Sequence, residues 1–127
     1  MSSPLVSVIC LCYNHEKFVE QAILSALNQT YSNVEVIVVN DASTDNSAAI
    51  VQQLLAAYPQ LVFINLESNV GNCKAFNMGF AQSKGEYIID FAADDVLLEN
   101  RIQEGVDSLQ SAGSEYGVQF SDAMLID

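Results

Sequence analysis

The sequence predicts an α/β protein, a Rossmann-like and mostly parallel sheet with helices on both faces. Apolar runs rich in Val and Ile recur along the chain, at 5–13, 34–40, 61–66 and 86–92. Between them, apolar residues return at three- and four-residue spacing, the period of a helix with one buried stripe. The connections are short, and strand–helix–strand units joined in this way close as right-handed βαβ crossovers.

The first run, "LVSVICLCY" (5–13), is continuous and β-branched, as in a strand covered on both sides. From Glu16 the period changes. Phe18, Val19, Ala22, Ile23, Ala26 and Leu27 place an apolar stripe along a helix to about Asn28, where "YSN" breaks it. "VEVIVVN" (34–40) is the second strand; Ser43 or Asp45 caps a helix carrying Ile50, Val51, Leu54 and Leu55, and Pro59 closes that unit. "LVFINL" (61–66) is the third strand, and "NCKAFNMGFAQS" (72–83) a short helix with Ala75, Phe76 and Phe80 inward, stopping near Gly85. "EYIIDFA" (86–92) is the fourth strand, Leu97 to Leu109 a further helix, and "VQFSDAMLID" the expected start of a fifth strand. Residues 1–127 are expected to form a single domain and, stopping at Asp127 with no capping signal, a piece of something longer.

At 127 residues the chain can bury roughly two-thirds of its unfolded surface. Half of it is hydrophobic and 16% is charged, which excludes a disordered tail or a coiled coil. Four basic residues against sixteen acidic ones give a net charge of −12, with no basic stripe for nucleic acid or an anionic membrane. The N-terminus lacks a basic segment, and its apolar run is broken by Ser7 far short of a membrane span, so a cytoplasmic location is expected, at most against the inner face of the membrane in the full-length protein. Three cysteines are an odd count and argue for reduced thiols. Cys10 and Cys12 share one strand face with no second pair downstream, which fits packed strand residues better than zinc.

In such a sheet, ligands bind beyond the carboxyl ends of the strands. Tyr13, Asn14 and His15 follow the first strand; Asn40, Asp41, Ser43 and Asp45 the second; Glu67, Ser68 and Asn69 the third; Asp94 and Asp95 the fourth. Adjacent carboxylates about 4 Å apart repel by roughly 4 kcal/mol at an effective dielectric of about 20. They splay into water or hold a cation. Mg²⁺ or Mn²⁺ takes oxygen ligands and leaves positions for phosphate, so a metal would reconcile an acidic rim with an anionic ligand. A helix start explains Asp94-Asp95 equally simply, and Asp41 and "DASTDNS" read also as turn residues. No G-x-G-x-x-G, no G-x-x-x-x-G-K-[ST] and no G-x-S-x-G is present, and His15 is the one histidine, so dinucleotide dehydrogenases, P-loop NTPases and triad hydrolases drop out.

The order of these residues resembles the nucleotide-sugar-binding part of inverting, GT-A fold glycosyltransferases of family two. The strand with its Tyr-Asn, the "LNQTY" helix end, the "VNDAST" turn, the "N-x-G" helix, "KGEYI" and the acidic pair stand in family order over roughly residues 5 to 110. The resemblance implies a uridine pocket edged by Leu11, Tyr13 and Asn14, with Asp41 accepting hydrogen bonds from the base. It implies that Asp94 faces the ribose or sugar and that Asp95 holds a Mn²⁺ or Mg²⁺ bridging the two phosphates. Asn40 stands where an acid is common, and Phe76 replaces the arginine of an "ARN" triplet, leaving Lys74 as the nearest cation for a phosphate or a solvated lysine on its helix. The implied reaction passes a sugar from a nucleoside-diphosphate sugar, UDP-linked, to a glycan or lipid-linked acceptor in polysaccharide biosynthesis. The implied general base lies beyond Asp127, so this chain is expected to bind donor and metal and to transfer sugar poorly or not at all.

Three other readings fit parts of the pattern. A signalling receiver domain needs an acidic pair after the first strand and a phosphoacceptor Asp after the third, where this chain has Tyr13-Asn14 and Glu67-Ser68-Asn69. A nucleotidyltransferase opens with a glycine-rich basic loop that "CYNHEKF" lacks. A non-catalytic nucleotide- and metal-binding domain shares the whole rim.

Overall fold

The structure, a computed structural model, describes residues 5–85, 87–93 and 100–112. In chain order the elements are β1 (Val6–Cys12), α1 (Val19–Leu27), β2 (Val34–Asn40), α2 (Ser47–Ala57), β3 (Val62–Asn65), α3 (Asn72–Gln82), β4 (Tyr87–Ala92) and α4 (Arg101–Ala112). The strands form one sheet in the order β3-β2-β1-β4, every pair parallel. The chain steps outward from β1 to β3 and then returns to the other side of β1. That reversal puts the switch point, where open α/β sheets take ligands, at the carboxyl ends of β1 and β4.

Side chains alternate between two cores, as the two-residue period of a strand requires. Val6, Val8, Cys10 and Cys12 of β1 join Val36, Val38, Ile89 and Phe91 on one face, under Val19, Ala22 and Ile23 of α1, Val51 and Leu54 of α2, and Ile102 and Val106 of α4. Ile9, Ile37, Val39 and Ile88 form the other face, under Ala75 of α3. The expected α/β sheet with helices on both faces is what forms. Cys10 and Cys12 are indeed buried strand residues on one face, and burial raises the Cys12 thiol pKa.

α3 differs from the expectation. Phe80 is 54% exposed, Phe76 is half-buried, and the buried positions are Ala75 and Gly79. The reason is size: a Cβ on Gly79 would stand 2.7 Å from Ile9 Cγ2 and 3.1 Å from Val39 Cγ2. The helix lies so close to the sheet that only small residues fit beneath it. Phe76 packs partly against this second core from the helix flank, and the exposed Phe80 stacks on it with ring centroids 6.3 Å apart.

α1 begins at Val19 rather than Glu16, because His15–Phe18 form a turn in which the amides of Phe18 and Val19 both donate to the His15 carbonyl. Phe18 is exposed and contributes nothing to the stripe. Neither expected cap is the N-cap of α2, which is Asn46 without a side-chain cap bond; Asp45 stands one residue earlier, its Oδ1 accepting the Ser47 amide at 2.9 Å. Gln29, in "LNQTY", is buried; it accepts the Ile102 amide through Oε1 at 2.9 Å and so holds the first turn of α4 against the end of α1. Leu97 and the expected fifth strand lie outside the described residues.

The amino ends of the strands are fastened tightly. Ser7 is fully buried; its hydroxyl donates to Glu35 Oε2 and accepts the Gly85 amide at 2.9 Å, and Glu35 Oε2 also accepts the Lys84 amide. A Cβ at Gly85 would meet the Ser7 amide nitrogen at 2.7 Å and the Leu5 carbonyl oxygen at 2.8 Å. Gly85 therefore permits a close main-chain approach, while α3 itself ends earlier, at Gln82, with Ser83 as its C-cap.

Candidate functional site

At the opposite rim, the first residues past β2 and β4 both return to β1. The Asp41 amide donates to the Cys12 carbonyl at 2.9 Å, and the Ala93 amide to the Leu11 carbonyl at 2.9 Å. With neighbouring strands about 4.8 Å apart, positions 41 and 93 lie about 10 Å from each other across the end of β1. Ala93 is fully buried, and the acidic pair Asp94 and Asp95 follows it outside the described residues.

Asp41 is 3% exposed and its carboxylate is held by the loop that opens α3. Oδ1 accepts the Val70 amide at 2.7 Å; Oδ2 accepts the Gly71 amide and Asn69 Nδ2, each at 3.0 Å. The same Asn69 nitrogen donates to the Asp41 carbonyl at 3.1 Å. Gly71, at φ +91°, is the residue from which α3 starts, a backbone angle that favours glycine. Asp41 thereby joins the end of β2 to the start of the helix that carries Lys74.

The loops after β1 and β2 are sewn together just beside it. Asn14, in the left-handed region at φ +56°, donates its amide to Ser43 Oγ at 2.9 Å and accepts the Thr44 amide through Oδ1 at 2.8 Å. The Glu16 amide donates to Asp45 Oδ2 at 3.1 Å, while Glu16 Oε1 accepts the Asn46 amide at 2.8 Å. Partial burial works against the Asp45 charge, but hydrogen bonds from the Ser47 side chain and from the Ser47 and Glu16 amides outweigh it and hold the carboxyl below its ordinary pKa. Asn40 is 1% exposed; Nδ2 donates to Asn65 Oδ1 at 2.8 Å and Oδ1 accepts the Ser43 hydroxyl. A carboxylate at position 40 could not donate to Asn65, which gives the amide there a structural purpose.

Of the residues singled out in the sequence, Leu11 is half-buried at the end of β1, Tyr13 is exposed on the loop above it, Asn14 faces Thr44, and Asp41 is buried between them and α3. Lys74 is exposed on the first turn of α3. Among the described residues, no three His, Cys, Asp or Glu side chains are grouped to hold a metal ion. Asn69 was legible only as a polar residue after the third strand; the "N-x-G" spacing was its signal, and the fold makes it the side chain that grips Asp41.

The pattern known as "Glycosyl transferase family 2" matches residues 7–121. The chain belongs to that family. A glycosyltransferase GlyG of Streptococcus pneumoniae is 38% identical over 80% of this chain and 34% of its own length, and an uncharacterized glycosyltransferase of Nostoc sp. is 37% identical over 84% and 33%. The chain thus spans about a third of the length of these family 2 relatives. Among solved structures, S. aureus TarS 1-349 in complex with UDP-GlcNAc superposes with a TM-score of 0.76 at 28% identity, over 84% of this chain and 31% of TarS. The mannosyltransferase PcManGT from Pyrobaculum calidifontis, in complex with GDP-Man and Mn²⁺, gives 0.71 at 26% identity, over 84% and 32%. The four-stranded parallel sheet with its helices matches part of the GT-A arrangement of these glycosyltransferases. No helix among the described residues is long and apolar enough to cross a membrane.

Proposed function

We propose that residues 1–127 form a single nucleotide-sugar-binding unit, and that the whole protein transfers a sugar from a UDP-linked donor to an acceptor hydroxyl with inversion. The observation that carries this reading is the position of Asp41: a buried carboxylate past β2, at the end of β1 and across from the chain that leads into Asp94 and Asp95. Complexes of TarS with UDP-GlcNAc and of PcManGT with GDP-Man support a nucleoside-diphosphate sugar as ligand class.

Each residue has a role in this reading. Leu11, Tyr13 and Asn14 edge the base pocket, the exposed Tyr13 ring offering an aromatic surface to a base. Asp41 accepts an N–H of the base. Lys74, on the first turn of α3, faces phosphate. Asp94 binds the ribose or the sugar, and Asp95 is the ligand for a divalent cation. The donor fits such an ion: the Asp95 carboxylate supplies hard oxygen and would leave coordination positions for phosphate and water. Mn²⁺ or Mg²⁺ bound there would supply Lewis-acid stabilisation of negative charge on the departing diphosphate. Inversion calls for a general base on the acceptor hydroxyl. That base is assigned to the acceptor-binding half of the whole protein, not to residues 1–127. The acceptor is a glycan or a lipid-linked acceptor, met on the cytoplasmic side of the membrane.

Isothermal titration of the chain with UDP, with and without Mn²⁺, tests the proposal. A metal-dependent binding heat is expected; its absence at millimolar ligand would overturn the reading.

A further inference from the structure

The hydrogen bonds around Asp41 leave little of its carboxylate free. A carboxylate oxygen accepts about two hydrogen bonds in its plane. Oδ2 already takes two, from Asn69 and Gly71, whereas Oδ1 takes one among the described residues, from Val70. One acceptor position therefore remains, on Oδ1, and its direction is set by whatever fixes the carboxylate plane.

Asn69 is the one side chain among those donors, and it is placed to set that plane. Its amide nitrogen spans the Asp41 carbonyl at 3.1 Å and Oδ2 at 3.0 Å, closing a ring over the Asp41 backbone and side chain together. The Val70 and Gly71 amides belong to the loop's main chain and would persist without it. Asn69 is itself exposed, so its removal opens no cavity in the core. What it uniquely supplies is the orientation of Asp41. We infer that Asn69 is a positioning residue for the nucleotide base, aiming the open acceptor position of Asp41 Oδ1 at a single N–H of the ligand. This rests on the assignment of Asp41 to the base.

The test compares the native chain with Asn69→Ala and Asn69→Leu, the second similar in shape, uncharged and without the donor. Each is titrated calorimetrically, in Mn²⁺, with UDP, with 3-methyl-UDP, whose base lacks the imide N–H, and with pyrophosphate, which has no base. The native chain is expected to bind UDP more tightly than either analogue. Loss of one oriented hydrogen bond to a charged acceptor should weaken UDP about tenfold in both variants. Pyrophosphate affinity should stay within about twofold, and the preference for UDP over 3-methyl-UDP should largely vanish. A residue serving only the fold would lower UDP and pyrophosphate affinity together, and that result overturns the inference. If the native chain prefers UDP and the variants keep the full preference, the Asn69 inference falls while the Asp41 assignment stands. If the native chain does not distinguish UDP from 3-methyl-UDP, both fall.

Discussion

Replacing Asp41 by Asn changes one atom in size and shape by almost nothing, yet the structure gives it a large effect. Three N–H groups point at the carboxylate, one at Oδ1 and two at Oδ2. An asparagine amide can face them in two ways. With its NH₂ in place of Oδ1, the Val70 amide meets a donor; with its NH₂ in place of Oδ2, both Asn69 and Gly71 do. The first is cheaper, so the least cost is one buried backbone donor left without an acceptor, about 1–3 kcal/mol. The two remaining bonds lose their charged acceptor, about 0.5–1 kcal/mol each. Together these predict a loss of about 2–5 kcal/mol of stability. At a urea dependence of about 2 kcal/mol/M, the unfolding midpoint should fall by about 1–2.5 M, read from far-UV circular dichroism with no change in slope. Asn69→Ala, which spares the two main-chain bonds, should shift it by less than half as much. An Asp41→Asn midpoint within about 0.3 M of the native value would show that the carboxylate does not hold the α3 loop, and the geometry described for the rim would be wrong.

Gly79→Ala gains about 1 kcal/mol of helix propensity but drives a methyl to 2.7 Å from Ile9, so a net loss of about 1 kcal/mol is expected in the same denaturation assay; a stabilised variant would contradict the close approach of α3. Gly85→Ala meets main-chain atoms that no rotamer change can move, and should cost more, about 2–3 kcal/mol or a failure to fold in expression trials. The Asp45 carboxyl titrates below its ordinary value in the folded chain, so its contribution is complete above about pH 4 and disappears as pH falls through the folded pKa. Asp45→Asn should therefore flatten the decline of the melting temperature between about pH 4 and pH 2, relative to the native chain.

The strands were legible because runs such as "VEVIVVN" leave no other element open to them, and the alternation of runs with helical periods fixed a parallel sheet. The inward faces of α1 and α2 followed from periodicity alone. α3 followed only in part: Ala75 is inward and Phe76 packs partly against the core, but Phe80 is exposed, because the space above Ile9 and Val39 leaves room beneath the helix only for small residues such as Gly79. The start of α1 was misplaced because Glu16 is engaged by Asp45 and Asn46, residues brought near only by the fold. Asp41 could be recognised as a rim carboxylate from its place after a strand. Its partners could not, since two of the three donors are main-chain amides from a distant loop, and an amide leaves no mark in a sequence.

The sheet's two ends are built by different means. Around Ser7 and Gly85, backbone lies against backbone with no room for a methyl group. Around Asn14, Asp41 and Asp45, contact is made by side chains that reach from one loop to the next. Substitutions at the first end disturb the scaffold itself, while those at the second exchange individual polar contacts above an unchanged foundation. A sheet built this way can exchange polar groups along one margin while the other stays a fixed anchor.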